Sequence, residues 1–198
     1  MAQTQKVAVL VSGTGSLLEA MAKKIPIGLV LADRPCRGID EVAVRAGLPH
    51  VLLPRPRKFR STFEREVYTG KVRDVLYRNG VTLVVMAGFM TLFGREIFYG
   101  EKNFDRRILN THPSLLPAFK GHYAVRDALE YGVKVTGCTI HVATEELDAG
   151  PILAQEAVPV YSDDTEAVLH ERIKDVERVL YPKTVQEYLY VLESAGLF

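Results

Sequence analysis

The sequence predicts an α/β protein: a mostly parallel, twisted sheet flanked by helices on both faces, with a late antiparallel strand pair. Three observations carry this expectation. Apolar runs of strand length recur along the chain, as in strands buried on both sides. Stretches of helical spacing lie between them, several closed by glycine. Of the 198 residues, 47% are hydrophobic and 25% charged, which supplies a core and argues against disorder.

Lys6 to Val11 is a continuous apolar run, followed by the turn-rich Ser12-Gly-Thr-Gly-Ser16 and then Leu17 to Lys24 at helical spacing. Strand, glycine turn and helix make the first half of a βαβ unit. Ile27 to Ala32 is a second strand, ended by Asp33-Arg-Pro35. Gly38 to Ala46 is short and amphipathic, with Gly47 placed to cap it, and His50 to Leu53 makes a third strand. Ser61 to Asn79 is a long helix whose buried face is assigned to Phe63, Val67, Val72, Val75 and Leu76. Val81 to Ala87 is a strand buried on both faces, and Leu92 to Tyr99 a short helix. Arg107 to Leu109 is a short strand delivering Asn110 at its carboxyl end, and Tyr123 to Tyr131 is a helix ended by Gly132. Lys134 to Val142 and Ile152 to Val160 are strands joined by a loop too short for a helical crossover, hence antiparallel. The last helix runs from Thr165 to about Leu192, capped by Asp163 or Asp164, with Pro182 kinking or splitting it. The whole is a Rossmann-like arrangement, expected to form one domain over residues 1–198.

Lys plus Arg number 25 against 24 Asp plus Glu, without the basic excess of a duplex nucleic-acid binder. The basic run Arg55-Pro-Arg57-Lys58-Phe-Arg60 is expected to be a solvated loop rather than a phosphate patch. Cys36 and Cys138 have no zinc-ligand spacing and are expected as free thiols. Met1 to Lys6 is polar and shows no leader pattern, and no apolar run approaches the ~20 residues that span a bilayer. The expectation is a cytoplasmic protein without membrane partners.

Ligands of open α/β sheets bind at the carboxyl ends of the strands, so the segments after apolar runs are the places to search. Ser12 to Ser16 offers backbone N–H groups at a helix start, suited to a phosphate. It matches neither the dinucleotide fingerprint nor the P-loop, and a tight turn needs glycine in any case. Met86-Ala-Gly-Phe-Met90 ends a buried strand with glycine, which serves close packing or the edge of a ligand equally well. Asn110-Thr-His112 is more informative. Residues two apart on a strand share a face, so an amide donor and an imidazole both reach one substrate atom. An amide N–H stabilises an oxyanion, and histidine exchanges protons near neutral pH. Asp148, in the turn Glu146-Leu-Asp-Ala-Gly-Pro151, supplies a carboxylate expected to raise the histidine pKa and stabilise its charged form. The other histidines (His50, His122, His141 and His170) lack such company and do not suggest a metal site.

Asn110-Thr-His112-Pro-Ser-Leu-Leu-Pro117 with Glu146-Leu-Asp148-x-Gly-Pro151 resembles the folate-dependent formyltransferases. Ser12-Gly-x-Gly-Ser16, Ala87-Gly-Phe-Met90 and Glu177 ahead of Tyr181-Pro182 are similar to the branch of that family that acts on glycinamide ribonucleotide. The likeness runs from the first strand to the last helix. It implies the formyltransferase fold, with a phosphate-binding N-terminal half and a folate-binding, catalytic C-terminal half. It implies direct formyl transfer from 10-formyltetrahydrofolate to the ribonucleotide amine, a step of purine biosynthesis, without a metal. Asn110 would hold the developing oxyanion, His112 donate a proton, and Asp148 raise the His112 pKa. Gly15, Ser16, Leu17, Lys174 and Glu177 would bind the ribonucleotide. Arg65, Met90, Thr91, Leu92, Phe93, Asn110, Thr144, Glu145, Glu146, Leu147 and Asp148 would bind the folate. A monomer or homodimer with small-molecule partners and no nucleic acid is implied.

The chain departs from the family pattern at Thr14 and Leu17, where asparagine is common, leaving phosphate contact to backbone N–H groups and Ser16. Thr91 replaces a common arginine, Lys120-Gly-His-Tyr123 replaces Pro-Gly-Leu-His, and the stretch between Glu19 and Pro26 is shorter. Two relatives share the trio: a formyl folate hydrolase with an extra N-terminal domain, and a methionyl-tRNA enzyme with an extra C-terminal one. The chain begins at its first strand and ends soon after its last helix, which favours the ribonucleotide branch. The alternatives are the hydrolase and a non-catalytic nucleotide-binding module.

Overall fold

The computed structural model describes residues 5–196, so the expectation for the first few residues lies mostly outside it. In chain order the first half holds β1 (Val7–Val11), α1 (Ser16–Ala22), β2 (Ile27–Ala32), a π-helix (Gly38–Ala43), β3 (His50–Leu52) and α2 (Thr62–Arg78). The second half holds β4 (Leu83–Met86), α3 (Glu96–Tyr99), β5 (Ile108–His112), α4 (Ala124–Tyr131), β6 (Val135–Val142), β7 (Ile152–Pro159) and α5 (Glu166–Ser194). The strands form one sheet in the order β3-β2-β1-β4-β5-β6-β7. Pairing is parallel from β3 through β5 and antiparallel at β6–β7, as the short connection required; β5–β6 is antiparallel too, although a long connection containing α4 joins those strands.

Every residue of β1 is buried. Val7, Val9 and Val11 enter one core with Leu18 and Met21 of α1 and Tyr181, Val185 and Leu189 of α5. Ala8 and Leu10 enter another with Tyr68, Val72 and Leu76 of α2 and Ile97 and Phe98 of α3. This alternation gives a three-layer sandwich and explains why β1 reads as continuously apolar. β1 lies between β2 and β4, so successive connections leave it in opposite directions and open a crevice at its carboxyl end.

The structure corrects several local expectations. Phe63 and Val67 are exposed, Phe63 by 75%, while Tyr68 and Thr69 join Val72 and Leu76 on the inner face of α2. At roughly 100° per residue, Val67 lies about 140° from Val72, so apolar type alone misassigned the face. The helix expected from Leu92 begins only at Glu96. Residues before it are held from outside: Thr69 Oγ1 accepts the Gly94 N–H at 2.8 Å, and a Glu66 carboxylate oxygen accepts that of Arg95 at 2.7 Å. β5 continues through Asn110 and Thr111 to His112, because β6 pairs with all of them. Thr165, not Asp163 or Asp164, caps α5 by accepting from the Val168 N–H. α5 passes Pro182 unsplit, with the proline buried in its interior.

Arg55 is not solvated, since it pairs with buried Asp33 at 2.8 Å; Arg57, Lys58 and Arg60 are exposed as expected. Gly47 ends the π-helix segment with φ 62°, and both cysteines are free. Gly15 has φ 77°, and a Cβ there would meet Gly38 Cα at 2.5 Å. Glycine at both positions lets the first loop pack against the π-helix start, where the Gly38 N–H bonds the Gly13 carbonyl at 3.0 Å.

Candidate active site

A cleft of about 400 Å³ opens at the carboxyl ends of β1, β4 and β5. Residues 13–17 and three α5 side chains, His170, Lys174 and Glu177, belong to its lining on the face covered by α1 and α5. Arg65 of α2, residues 89–93 and Phe98 line it on the other face. Asn110, His112, His141 and Asp148 also line it. All the expected site residues are therefore gathered there except Glu146, which does not line the cleft and whose carboxylate is 3.8 Å from Lys120 Nζ.

β5 places the reacting groups. Asn110 and His112 share one face of the strand, and Thr111 points to the other, where its hydroxyl donates to Glu177 at 2.9 Å. Burial pushes the Glu177 carboxyl up, although that hydrogen bond pulls it down. A buried carboxyl with a hydroxyl donor and Lys174 one turn away suits a polar substrate's hydroxyl or amine groups.

His112 is buried, and its Nε2 lies 2.7 Å from the Phe119 carbonyl oxygen. A carbonyl only accepts, so Nε2 carries a hydrogen. Nδ1 then becomes the nitrogen that gains or loses a proton, and it faces Asp148 Oδ2 at 3.3 Å. The same Oδ2 accepts the Gly121 N–H at 2.9 Å. Phe119 and Asp148 both hold positive φ, 51° each, an unfavourable backbone state for these residues. Both strained residues thus grip the imidazole, one through its carbonyl and the other through its carboxylate.

The sequence gives His141 no polar company within its strand, and the structure corrects this. Antiparallel pairing sets it opposite Asn110. Its Nδ1 lies 3.1 Å from the Val142 carbonyl and so donates, which leaves Nε2 to accept from the Asn110 amide at 3.3 Å. Burial pushes the His141 pKa down, favouring this neutral form despite Asp148 Oδ1 at 3.7 Å. His141 therefore orients the Asn110 amide, whose second hydrogen remains for a ligand. His122 and His170 also line the cleft, whereas His50 bonds the Leu48 carbonyl. Thr111 was also missed; period two along β5 would have placed it on the opposite face.

Among the described residues, no group of three or more His, Cys, Asp or Glu is arranged to hold a metal. No described helix is long and apolar enough to cross a membrane.

Comparison with known proteins bears on the family and the fold. The family model described as formyl transferase matches residues 5–185. A phosphoribosylglycinamide formyltransferase of Mycobacterium tuberculosis is 43% identical over 187 residues, covering 88% of this chain and 80% of the relative. One from Bacillus subtilis is 34% identical, covering 93% and 95%. The crystal structure of glycinamide ribonucleotide transformylase 1 from Symbiobacterium toebii superposes with a TM-score of 0.83 at 38% identity, covering 93% of this chain and 87% of that one.

Proposed function

The chain belongs to the formyl transferase family, and on that premise we propose that it moves the formyl group of 10-formyltetrahydrofolate to the amine of glycinamide ribonucleotide in purine biosynthesis. The observation that carries this reading is the convergence of Asn110, His112 and Asp148 in one cleft, with a glycine loop and Lys174–Glu177 in the same lining.

In this reading the phosphate rests on the backbone N–H groups at the start of α1 and on Ser16. Glu177 and Lys174 hold the ribonucleotide, and Arg65 with residues 90–93 and 144–148 holds the folate. Attack of the amine on the formyl carbon puts negative charge on the formyl oxygen, where the free Asn110 N–H donates. The leaving folate nitrogen needs a proton, which the Nδ1–H of doubly protonated His112 supplies, and the attacking amine nitrogen gives up one proton as its acyl bond forms, so the proton count closes. Asp148 lies against that atom, so an imidazolium formed there has its counter-charge in place. Folate nitrogen and amine exchange one acyl bond for another, so no other reactant is needed. All of this is assigned to one domain acting in the cytoplasm.

The test is to follow deformylated folate with and without glycinamide ribonucleotide. Release that depends on the ribonucleotide is expected. Equal release in both mixtures would make the protein a hydrolase, and no release in either would leave a binding module.

A further inference from the structure

We propose that Asp33 is a positioning residue for folate binding, holding residues 90–93 in shape through Thr91. This rests on the reading above that residues 90–93 meet the folate. Asp33 follows β2, is 0% exposed and is not among the residues lining the cleft. Its carboxylate accepts from Thr91 Oγ1 at 2.7 Å, Arg55 Nε at 2.8 Å and Arg34 Nε at 3.2 Å. Beside it, the Ser12 hydroxyl oxygen accepts the Met90 N–H at 3.0 Å and ties the start of the β4 segment to the loop after β1. Burial alone pushes this carboxyl up, yet its hydrogen-bond donors, Thr91 foremost, hold it below its ordinary value.

A buried carboxylate is costly unless its lone pairs are filled, and here the partners come from the segments that follow β2, β3 and β4. The far end of the β4 segment is tied to α2, through Thr69 to Gly94 and through Glu66 to Arg95. Between these anchors the side chains alternate. All three line the cleft, but Thr91 is 2% exposed and bonds Asp33, whereas its neighbours Met90 and Leu92 present exposed side chains. Thr91 thus converts the position of Asp33 into the presentation of Met90 and Leu92. A wall fixed before the ligand arrives spares the ordering cost of binding.

The test is steady-state kinetics on four variants, with thermal midpoints measured alongside. Asp33→Asn and Thr91→Val are each expected to raise KM for formyl folate about tenfold, while kcat and KM for the ribonucleotide stay within about twofold. The double variant should be no worse than the more damaged single one, because both cut the same link. Thr91→Ser retains the hydroxyl and should restore near-normal KM. Leu92→Ala leaves the Asp33 contacts intact and tests the underlying reading. If Leu92→Ala raises the folate KM but Thr91→Val and Asp33→Asn do not, Asp33 has no positioning role. If Leu92→Ala is also silent, residues 90–93 do not meet the folate and the proposal falls with that reading. Thr91→Val stands alone should Asp33→Asn fail to fold, and an equal loss in every kinetic constant would overturn the proposal.

Discussion

Asp148→Asn separates the charge of this residue from its shape. His112 Nδ1 and Asp148 Oδ2 lie 3.3 Å apart, with side-chain exposures of 5% and 3%. At an effective dielectric of about 20, opposite unit charges at that distance attract by roughly 5 kcal/mol. Asparagine preserves the volume and keeps a carbonyl oxygen for the Gly121 N–H, so part of the attraction survives as a dipole. Losing about half of it, roughly 2–3 kcal/mol, from the transition state lowers kcat by about 30- to 150-fold. The assay is initial velocity at saturating formyl folate and ribonucleotide, with a thermal melt to confirm folding. A kcat within twofold of the parent protein, in a variant that melts normally, would refute the electrostatic role. So would a change confined to KM, because the charge would then act on the ground state and not on the reaction.

Three more outcomes are expected. Asn110→Ala removes the oxyanion donor and should lower kcat by about a hundredfold or more, with little change in either KM; a loss carried by KM alone would contradict it. His141→Phe fills the same space but offers no acceptor to the Asn110 amide, so kcat should fall by roughly tenfold; unaltered turnover would show that the amide needs no such partner. Glu177→Gln addresses the buried carboxyl, which burial pushes up. The folded chain holds that proton more tightly than the unfolded one, so stability is lost as pH rises above the ordinary carboxylate range. The glutamine variant should therefore melt higher at neutral pH and bind the ribonucleotide more weakly. Its advantage should vanish as pH falls toward 4.5, the ordinary value of the group; a gain independent of pH would point to packing instead.

What could be foreseen in the sequence followed the range of the interaction concerned. β1 and β4 were legible because burial on both faces leaves an unbroken apolar run. Asn110 and His112 were legible because period two is a property of the strand itself. The start of α3 was not, because its first N–H groups are taken by Glu66, which belongs to another helix. Arg55 looked solvated because its partner, Asp33, is distant in sequence and meets it only across the top of the sheet. His141 was overlooked for a similar reason. Which residue faces Asn110 depends on the register between β5 and β6, and the residues on either strand do not state it. Phe63 shows the opposite failure, in which residue type was visible but its angular phase around α2 was disregarded.

The alternation along β5 has an implication for how this chain tolerates change. Asn110 and His112 serve one side of the strand while Thr111 reaches Glu177 on the other. Inserting or deleting a single residue within β5 would not merely displace the reacting groups by about 3.3 Å. It would invert them, aiming the amide and imidazole at α5 and the hydroxyl toward Asp148. Point substitutions at Ile108 or Leu109 leave that handedness intact, but a change of length cannot. Natural variation in length is therefore expected to collect in the loops at either end of the strand, with the interval from residue 108 to residue 112 constant across functional descendants.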